Sequence, residues 1–200
     1  MLNLILGGAR SGKSRLAEQL AERSGLPVSY IATSEPLDGE MNARVQLHRE
    51  RRPASWGLIE EPLALAAVLR ANASAERCLL VDCLTLWLTN LLMLDDPERL
   101  QAERTALLDC LAGLPGEIIL VSNETGLGVV PLGELTRRYV DEAGWLHQAI
   151  AERCQRVVLT VAGLPLTLKG IAPGVRPGGL MPAAPSIRRP APRRWCASSN

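Results

Sequence analysis

Phenylalanine is absent from the chain, and aromatic residues of any kind make up only 3% of it. With 47% hydrophobic residues, the composition is otherwise ordinary for a globular protein. Net charge is also nearly lacking. The formal value is +1, which leaves no broad basic field of the kind that nucleic acid requires. The five cysteines, Cys78, Cys83, Cys110, Cys154 and Cys196, are odd in number and widely spaced, and none forms C-x-x-C. That pattern argues against a disulfide framework or zinc site and for buried free thiols in a reducing cytoplasm. No apolar run approaches the roughly 20 residues of a membrane helix. The first apolar run is too short for the h-region of a signal peptide and leads straight into a glycine-rich loop. No internal repeat is apparent. The 200 residues suit one domain able to bury its own core.

The glycine-rich loop organises the rest. Gly7-Gly8-Ala9-Arg10-Ser11-Gly12-Lys13-Ser14 fits G-x-x-x-x-G-K-[ST], the phosphate-binding loop. Glycines let backbone N–H groups curl around phosphate oxygens with no Cβ in the way. Lys13 supplies a mobile cation for the outer phosphates, and the Ser14 hydroxyl can ligate Mg²⁺. Leu2 to Leu6 before the loop is a short, mostly apolar run, as a buried strand requires. Ser14 to Arg23 after it places Leu16, Ala17 and Leu20 on one helix face. The helix points its positive end at the same anion.

Further along, strands and helices alternate. Val28 to Ile31 reads as a strand ending in Ala32-Thr33-Ser34, where hydroxyls suit either the ligand-bearing edge of a parallel sheet or the cap of the next helix. Asp38 to Glu50 reads as helical and runs into His48, one of two histidines, with Arg44, Arg49, Arg51 and Arg52 nearby. Guanidinium forks suit a polyphosphate, and imidazole can attack phosphorus near neutral pH. A solvated basic helix end is the competing explanation. Trp56 to Glu60 reads as a short strand ending on an acid, and Leu63 to Ala71 as a helix behind Pro62. Cys78 to Asp82 is an apolar run ending in a carboxylate. Paired with the phosphate loop, Asp82 would hold Mg²⁺ directly or through water. Leu84 to Leu94, with Trp87, reads as a core or subunit-contact helix, and Asp96-Pro97-Glu98 opens another that runs to about Leu114. Glu117 to Ser122 is a strand. Asn123 and Glu124 beyond it suit contact with substrate or Mg²⁺ and suit an ordinary turn equally. Leu135 to Cys154 fits one long helix on which His147 reads as structural or exposed rather than catalytic, and Arg156 to Val161 is a last strand. From Gly170 to Asn200 the chain is rich in Pro, Arg, Ala and Gly without periodicity, and it reads as a disordered tail after a domain spanning 1–169. Alternating strands and helices predict an α/β fold, a mainly parallel sheet with helices on both faces.

Several pieces taken together resemble one family, the bifunctional adenosylcobinamide kinase / adenosylcobinamide-phosphate guanylyltransferase of cobalamin synthesis. They are the loop Gly7 to Ser14 with Arg15; Tyr30-Ile31-Ala32-Thr33-Ser34; Arg44-Val45 followed by His48, Arg52-Pro53 and Trp56; Asp82-Cys83-Leu84-Thr85; Ser122-Asn123-Glu124 with Gly126, Gly128 and Pro131; and Val161-Ala162-Gly163. The likeness spans about Met1 to Lys169. It implies a P-loop NTPase with a RecA-like fold, a homotrimer, and a corrinoid substrate. In the first reaction it implies, the aminopropanol hydroxyl of adenosylcobinamide is phosphorylated by ATP or GTP. In the second, GMP passes from GTP to that phosphate, giving adenosylcobinamide-GDP and pyrophosphate. The family guanylylates a histidine in the stretch that His48 occupies. Its nucleotide contacts fall here on Gly7, Gly8, Ala9, Arg10, Ser11, Gly12, Lys13 and Ser14, on Ala32, Thr33 and Ser34, on Arg49, Glu50, Arg51 and Arg52, and on Glu60 and Asp82. Two departures stand out: Leu47, where some members carry a second histidine, and the tail after Lys169.

Overall fold

The computed structural model describes residues 1–34 and 53–174. The expected helix over Asp38 to Glu50, and with it His48 and Arg49 to Arg52, lies outside the described residues, as does 175–200 of the expected tail.

In chain order the elements are β1 (Leu2–Gly7), α1 (Lys13–Arg23), β2 (Val28–Ala32), β3 (Gly57–Glu60), α2 (Leu65–Asn72), β4 (Cys78–Asp82), α3 (Leu84–Met93), α4 (Pro97–Leu111), β5 (Glu117–Asn123), α5 (Glu134–Arg153), β6 (Arg156–Val161) and β7 (Leu164–Lys169). They form one seven-stranded sheet in the order β3-β2-β4-β5-β1-β6-β7. Strands β1 to β6 pair in parallel, and only β7 runs antiparallel, against β6. Because the parallel strands are covered on both sides, their side chains alternate between two cores. Leu2, Leu4 and Leu6 of β1 join Leu79, Val81, Ile118 and Leu120 under α2, α3, α4 and α5. Ile5, Tyr30, Leu80, Ile119 and Val121 point the other way and pack against Leu16, Ala17 and Leu20 of α1. This is the α/β arrangement that the alternation of strands and helices implied, a mainly parallel sheet with helices on both faces.

Helix α3 belongs to the core. Leu84, Trp87, Leu88 and Leu91 are each no more than 1% exposed. The Trp87 indole satisfies its one donor by bonding the Leu63 carbonyl at 2.8 Å. Cys78, Cys83, Cys110 and Cys154 are free and buried, as their spacing predicted; Cys196 is outside the described residues. Burial pushes the Cys78 and Cys154 thiols up to about 12 and that of Cys83 up to about 11, which leaves them inert as nucleophiles.

The structure differs from the sequence reading at the C-terminal side. Residues 164–169 form a strand that the reading did not foresee. The turn into it places Ala162 at φ 51° and Gly163 at φ 79°, the two positive values of a tight hairpin turn. The first residues of the expected tail are also tied down. The Arg156 guanidinium donates to the Ile171 carbonyl at 3.0 Å, and that of Arg23 to the Gly174 carbonyl at 2.7 Å.

Candidate nucleotide site

All six parallel strands end at one edge, and of the expected site residues those described, Gly7 to Ser14, Ala32 to Ser34, Glu60 and Asp82, follow or end strands there. The loop from Gly7 to Ser14 leaves β1 and enters α1, with Gly12 as the first cap at φ 97°. That left-handed conformation costs a residue with a Cβ roughly 1–2 kcal/mol. At Gly7 the constraint is space, since a Cβ would lie 2.4 Å from Ser11 Oγ and 2.7 Å from the Thr160 carbonyl oxygen. The loop is pinned from both sides. The Glu124 N–H donates to the Gly7 carbonyl at 3.1 Å, and the Gly163 N–H donates to the Ser11 carbonyl at 2.8 Å. Lys13 Nζ folds back to donate to the Gly8 carbonyl at 3.2 Å. A single neutral acceptor is a weak match for an ammonium group, so phosphate oxygens would displace it readily.

Four buried side-chain polar atoms among the described residues lack a hydrogen-bond partner: Ser11 Oγ, Asn123 Oδ1, Tyr139 Oη and Thr160 Oγ1. Three of the four lie together. Ser11 is in the loop, and Asn123 and Thr160 sit beside Gly7 in register on β5 and β6. Unpaired buried polar atoms are costly, and their gathering around one backbone cradle marks a ligand site. A groove between α2 and α4, lined by Arg70, Gln101 and Asp109 among others, includes none of these residues.

Asp82 ends β4, and Tyr30 Oη donates to its Oδ2 at 3.0 Å. Register aligns Glu60, Ala32 and Asp82 across β3, β2 and β4. Glu60 lies four strands from Gly7, about 19 Å at ~4.8 Å per strand. The loop and Glu60 thus stand far apart along one sheet edge, with Asp82 between them. Ser34 is half-buried just past β2. Among the described residues no three His, Cys, Asp or Glu side chains cluster as a metal cage.

Residues 3–168 match the family described as cobinamide kinase / cobinamide phosphate guanyltransferase. The chain belongs to this family. It is one enzyme with two activities, a kinase and a guanylyltransferase. It is 76% identical over 170 residues to the bifunctional adenosylcobalamin biosynthesis protein CobP of Pseudomonas aeruginosa, covering 85% of this chain and 98% of that protein. It is 37% identical over 182 residues to the bifunctional adenosylcobalamin biosynthesis protein CobU of Escherichia coli, covering 84% of this chain and all of that one, 100%. Among solved structures, the RadB recombinase aligns at 18% identity and a TM-score of 0.45 over 79% of this chain and 73% of that one.

Two features of this cobinamide kinase / guanyltransferase chain went unread in the sequence. The first is how Thr33 is used. Its side chain is fully buried, its hydroxyl donates to the Cys83 carbonyl at 2.7 Å, and it accepts from the Cys83 N–H at 3.0 Å. This bond staples the end of β2 to the segment after β4, which carries Asp82. Thr33→Val should therefore strand a buried N–H and carbonyl and cost about 1–3 kcal/mol, read as a lowered Tm, while Thr33→Ser should restore most of it.

The second is His147, which is 8% exposed on α5. Its Nε2 shares a hydrogen bond with Ser122 Oγ at 2.8 Å, and its Nδ1 lies 4.0 Å from Glu124 Oε2. The structural reading of this histidine fits. Burial pushes its pKa down from 6.5, and the Glu124 carboxylate opposes that shift only in part. The folded chain therefore favours neutral imidazole. Its contribution to stability is complete above about pH 6.5 and is lost progressively as pH falls below the unfolded value. In His147→Gln, unfolding free energy should depend less on pH between about 6.5 and 5, measured by denaturant titration at each pH.

Proposed function

We propose that this chain phosphorylates the aminopropanol hydroxyl of adenosylcobinamide with ATP or GTP, then transfers GMP from GTP to the product through a guanylyl group on His48. The observation that carries the reading is the cradle at Gly7 and Gly12, with Lys13 beside it and Asp82 at the strand end two positions away in the sheet, in a chain of this family. Backbone N–H groups from Gly8 to Ser14 would bind the triphosphate, with Lys13 on its outer oxygens. Ser14 and Asp82 would hold Mg²⁺. One hydroxyl and one carboxylate, with phosphate oxygens completing the shell, suit that ion, and it would neutralise charge building on the phosphates. Ala32, Thr33, Ser34 and Glu60 would meet the far part of the nucleotide, Thr33 through its backbone because its hydroxyl is committed to Cys83.

In the second reaction, a ring nitrogen of His48 attacks the α-phosphorus of GTP. The P–N bond forms as the bond to pyrophosphate breaks. A phosphate oxygen of the cobinamide phosphate then attacks the same phosphorus, and histidine leaves. Arg49, Arg51 and Arg52 would offset the charge and Glu50 would complete that nucleotide contact, all close in sequence to His48. Residues 1–169 would form the catalytic unit, in a homotrimer located in the cytoplasm, a compartment that suits four buried free thiols.

Incubating the purified chain with adenosylcobinamide, Mg²⁺ and GTP tests this reading. A phosphorylated corrinoid should appear first and the GDP-corrinoid with pyrophosphate second. Phosphorylation with no GDP-corrinoid at any time would leave a plain small-molecule kinase instead.

A further inference from the structure

Strand β5 lies between the loop-bearing β1 and the Asp82-bearing β4, so its end sits between the phosphate loop and that carboxylate. In-line phosphoryl transfer places the acceptor oxygen on that side, opposite the bond that breaks. Asn123 Oδ1 and Tyr139 Oη are two of the four orphaned buried atoms, and both lie in this part of the fold. Burial pushes the Tyr139 phenol up, an effect that the hydroxyls of Thr85 and Thr125 only partly offset, so it stays a protonated donor. The Tyr139 ring packs against the larger core, but its hydroxyl and the Asn123 side-chain oxygen are polar ends that this packing does not use.

Among the described residues, the chain that leaves this point carries a run of exposed apolar side chains next to the site. Leu127 is 82% exposed, Val129 96%, Val130 70% and Leu132 97%. Its root is rigid. Glu124 is bonded to Gly7 through its backbone N–H, and its Oε1 accepts from the Gly126 N–H at 2.6 Å. Buried polar groups at the root and apolar side chains along the rim fit a ligand with a small hydroxyl-bearing arm on a broad, largely apolar ring.

Resting on the activity stated above, we propose that this is the acceptor subsite. Asn123 and Tyr139 bind the hydroxyl-bearing arm of cobinamide, Asn123 accepting from the hydroxyl and Tyr139 donating to the arm's polar atoms. Val129, Val130 and Leu132 cover a face of the corrin ring.

Equilibrium dialysis of the full chain against cobinamide, read by corrin absorbance and run beside GTP binding, tests the assignment. Tyr139→Phe and Asn123→Ala should each weaken cobinamide about tenfold, the loss of roughly one hydrogen bond. Leu132→Asp should weaken it at least as much, and GTP affinity should stay within about twofold in all three. The Thr85 and Thr125 hydroxyls lie near the Tyr139 hydroxyl but neither makes a well-formed hydrogen bond to it, so Tyr139→Phe should change Tm little, which separates a binding role from a structural one. Unchanged cobinamide affinity in Tyr139→Phe and Asn123→Ala overturns the subsite, as does equal loss of GTP affinity. If Leu132→Asp changes the sedimenting size of the protein while cobinamide binding persists, the loop is a contact between copies of the chain and the assignment of its apolar residues fails. A parent chain that binds GTP and no cobinamide would instead overturn the activity on which the proposal rests.

Discussion

Lys13→Ala should reduce both phosphorylation of cobinamide and guanylyl transfer by about 100- to 1,000-fold, with little change in Tm. The size follows from removing one preorganised charge from a site where negative charge moves during reaction, worth roughly 3–4 kcal/mol. The small stability effect follows from the geometry. Among the described residues Lys13 bonds the carbonyl of Gly8, and that bond is solvent-exposed. Nucleotide binding should weaken less than turnover, because backbone N–H groups and the α1 terminus still hold the phosphates. Lys13→Arg should rescue only part of the loss, since a planar fork cannot reach into a loop shaped for a compact ammonium. The measurement is turnover at saturating nucleotide. Rates within tenfold of the parent for both reactions would mean that the loop does not cradle the reacting phosphates.

His48→Ala should abolish guanylyl transfer and leave cobinamide phosphorylation within a few-fold of the parent. The asymmetry distinguishes the two chemistries. Phosphorylation needs only an acceptor hydroxyl in line with the outer phosphate, held by groups that do not include this imidazole. Guanylyl transfer without the histidine requires one phosphate to attack another directly, anion against anion. In the proposed route the imidazole would divide that step into two displacements at the α-phosphorus, each with a better matched nucleophile or leaving group. Assaying the two products separately reads the split. Equal loss of both would mean that His48 helps bind nucleotide and carries no intermediate. Retention of both would remove it from the reaction.

The parts of the fold legible in the sequence are those specified locally. The phosphate loop declares itself because three constraints fall within eight residues: close approach at Gly7, a left-handed backbone at Gly12 and a cation at Lys13. Asp82 is legible because a strand buried on both faces reads as an unbroken apolar run, so its end is sharp. The missed strand β7 shows the limit. Leu164, Leu166 and Leu168 do alternate with less apolar or more buried positions, but all three are more than half exposed. At a sheet edge the leucines mark the open side, and the usual inference from alternation points the wrong way. The turn at Ala162-Gly163 was the better signal.

Side-chain bonds between distant residues were not legible at all. Thr33 meets Cys83 across 50 positions and His147 meets Ser122 across 25. Nothing in the local pattern distinguishes Thr33 from an ordinary cap or His147 from a surface residue. Only the register of β2 with β4, and the packing of α5 over the sheet, bring the partners together. The same holds for the orphaned atoms of Asn123 and Thr160, whose meaning depends on the register that sets both beside Gly7. His48 and Arg49 to Arg52 rest on the sequence resemblance.

The most direct test follows a radiolabel on the α-phosphate of GTP. Denatured protein should retain it as an acid-labile adduct on the peptide containing His48, in a ratio approaching one per chain. The same label on the γ-phosphate should leave with pyrophosphate, and added cobinamide phosphate should discharge the α-label into a corrinoid product. Retention of the α-label on any other residue, or GDP-corrinoid formed with no adduct ever present, would contradict the account.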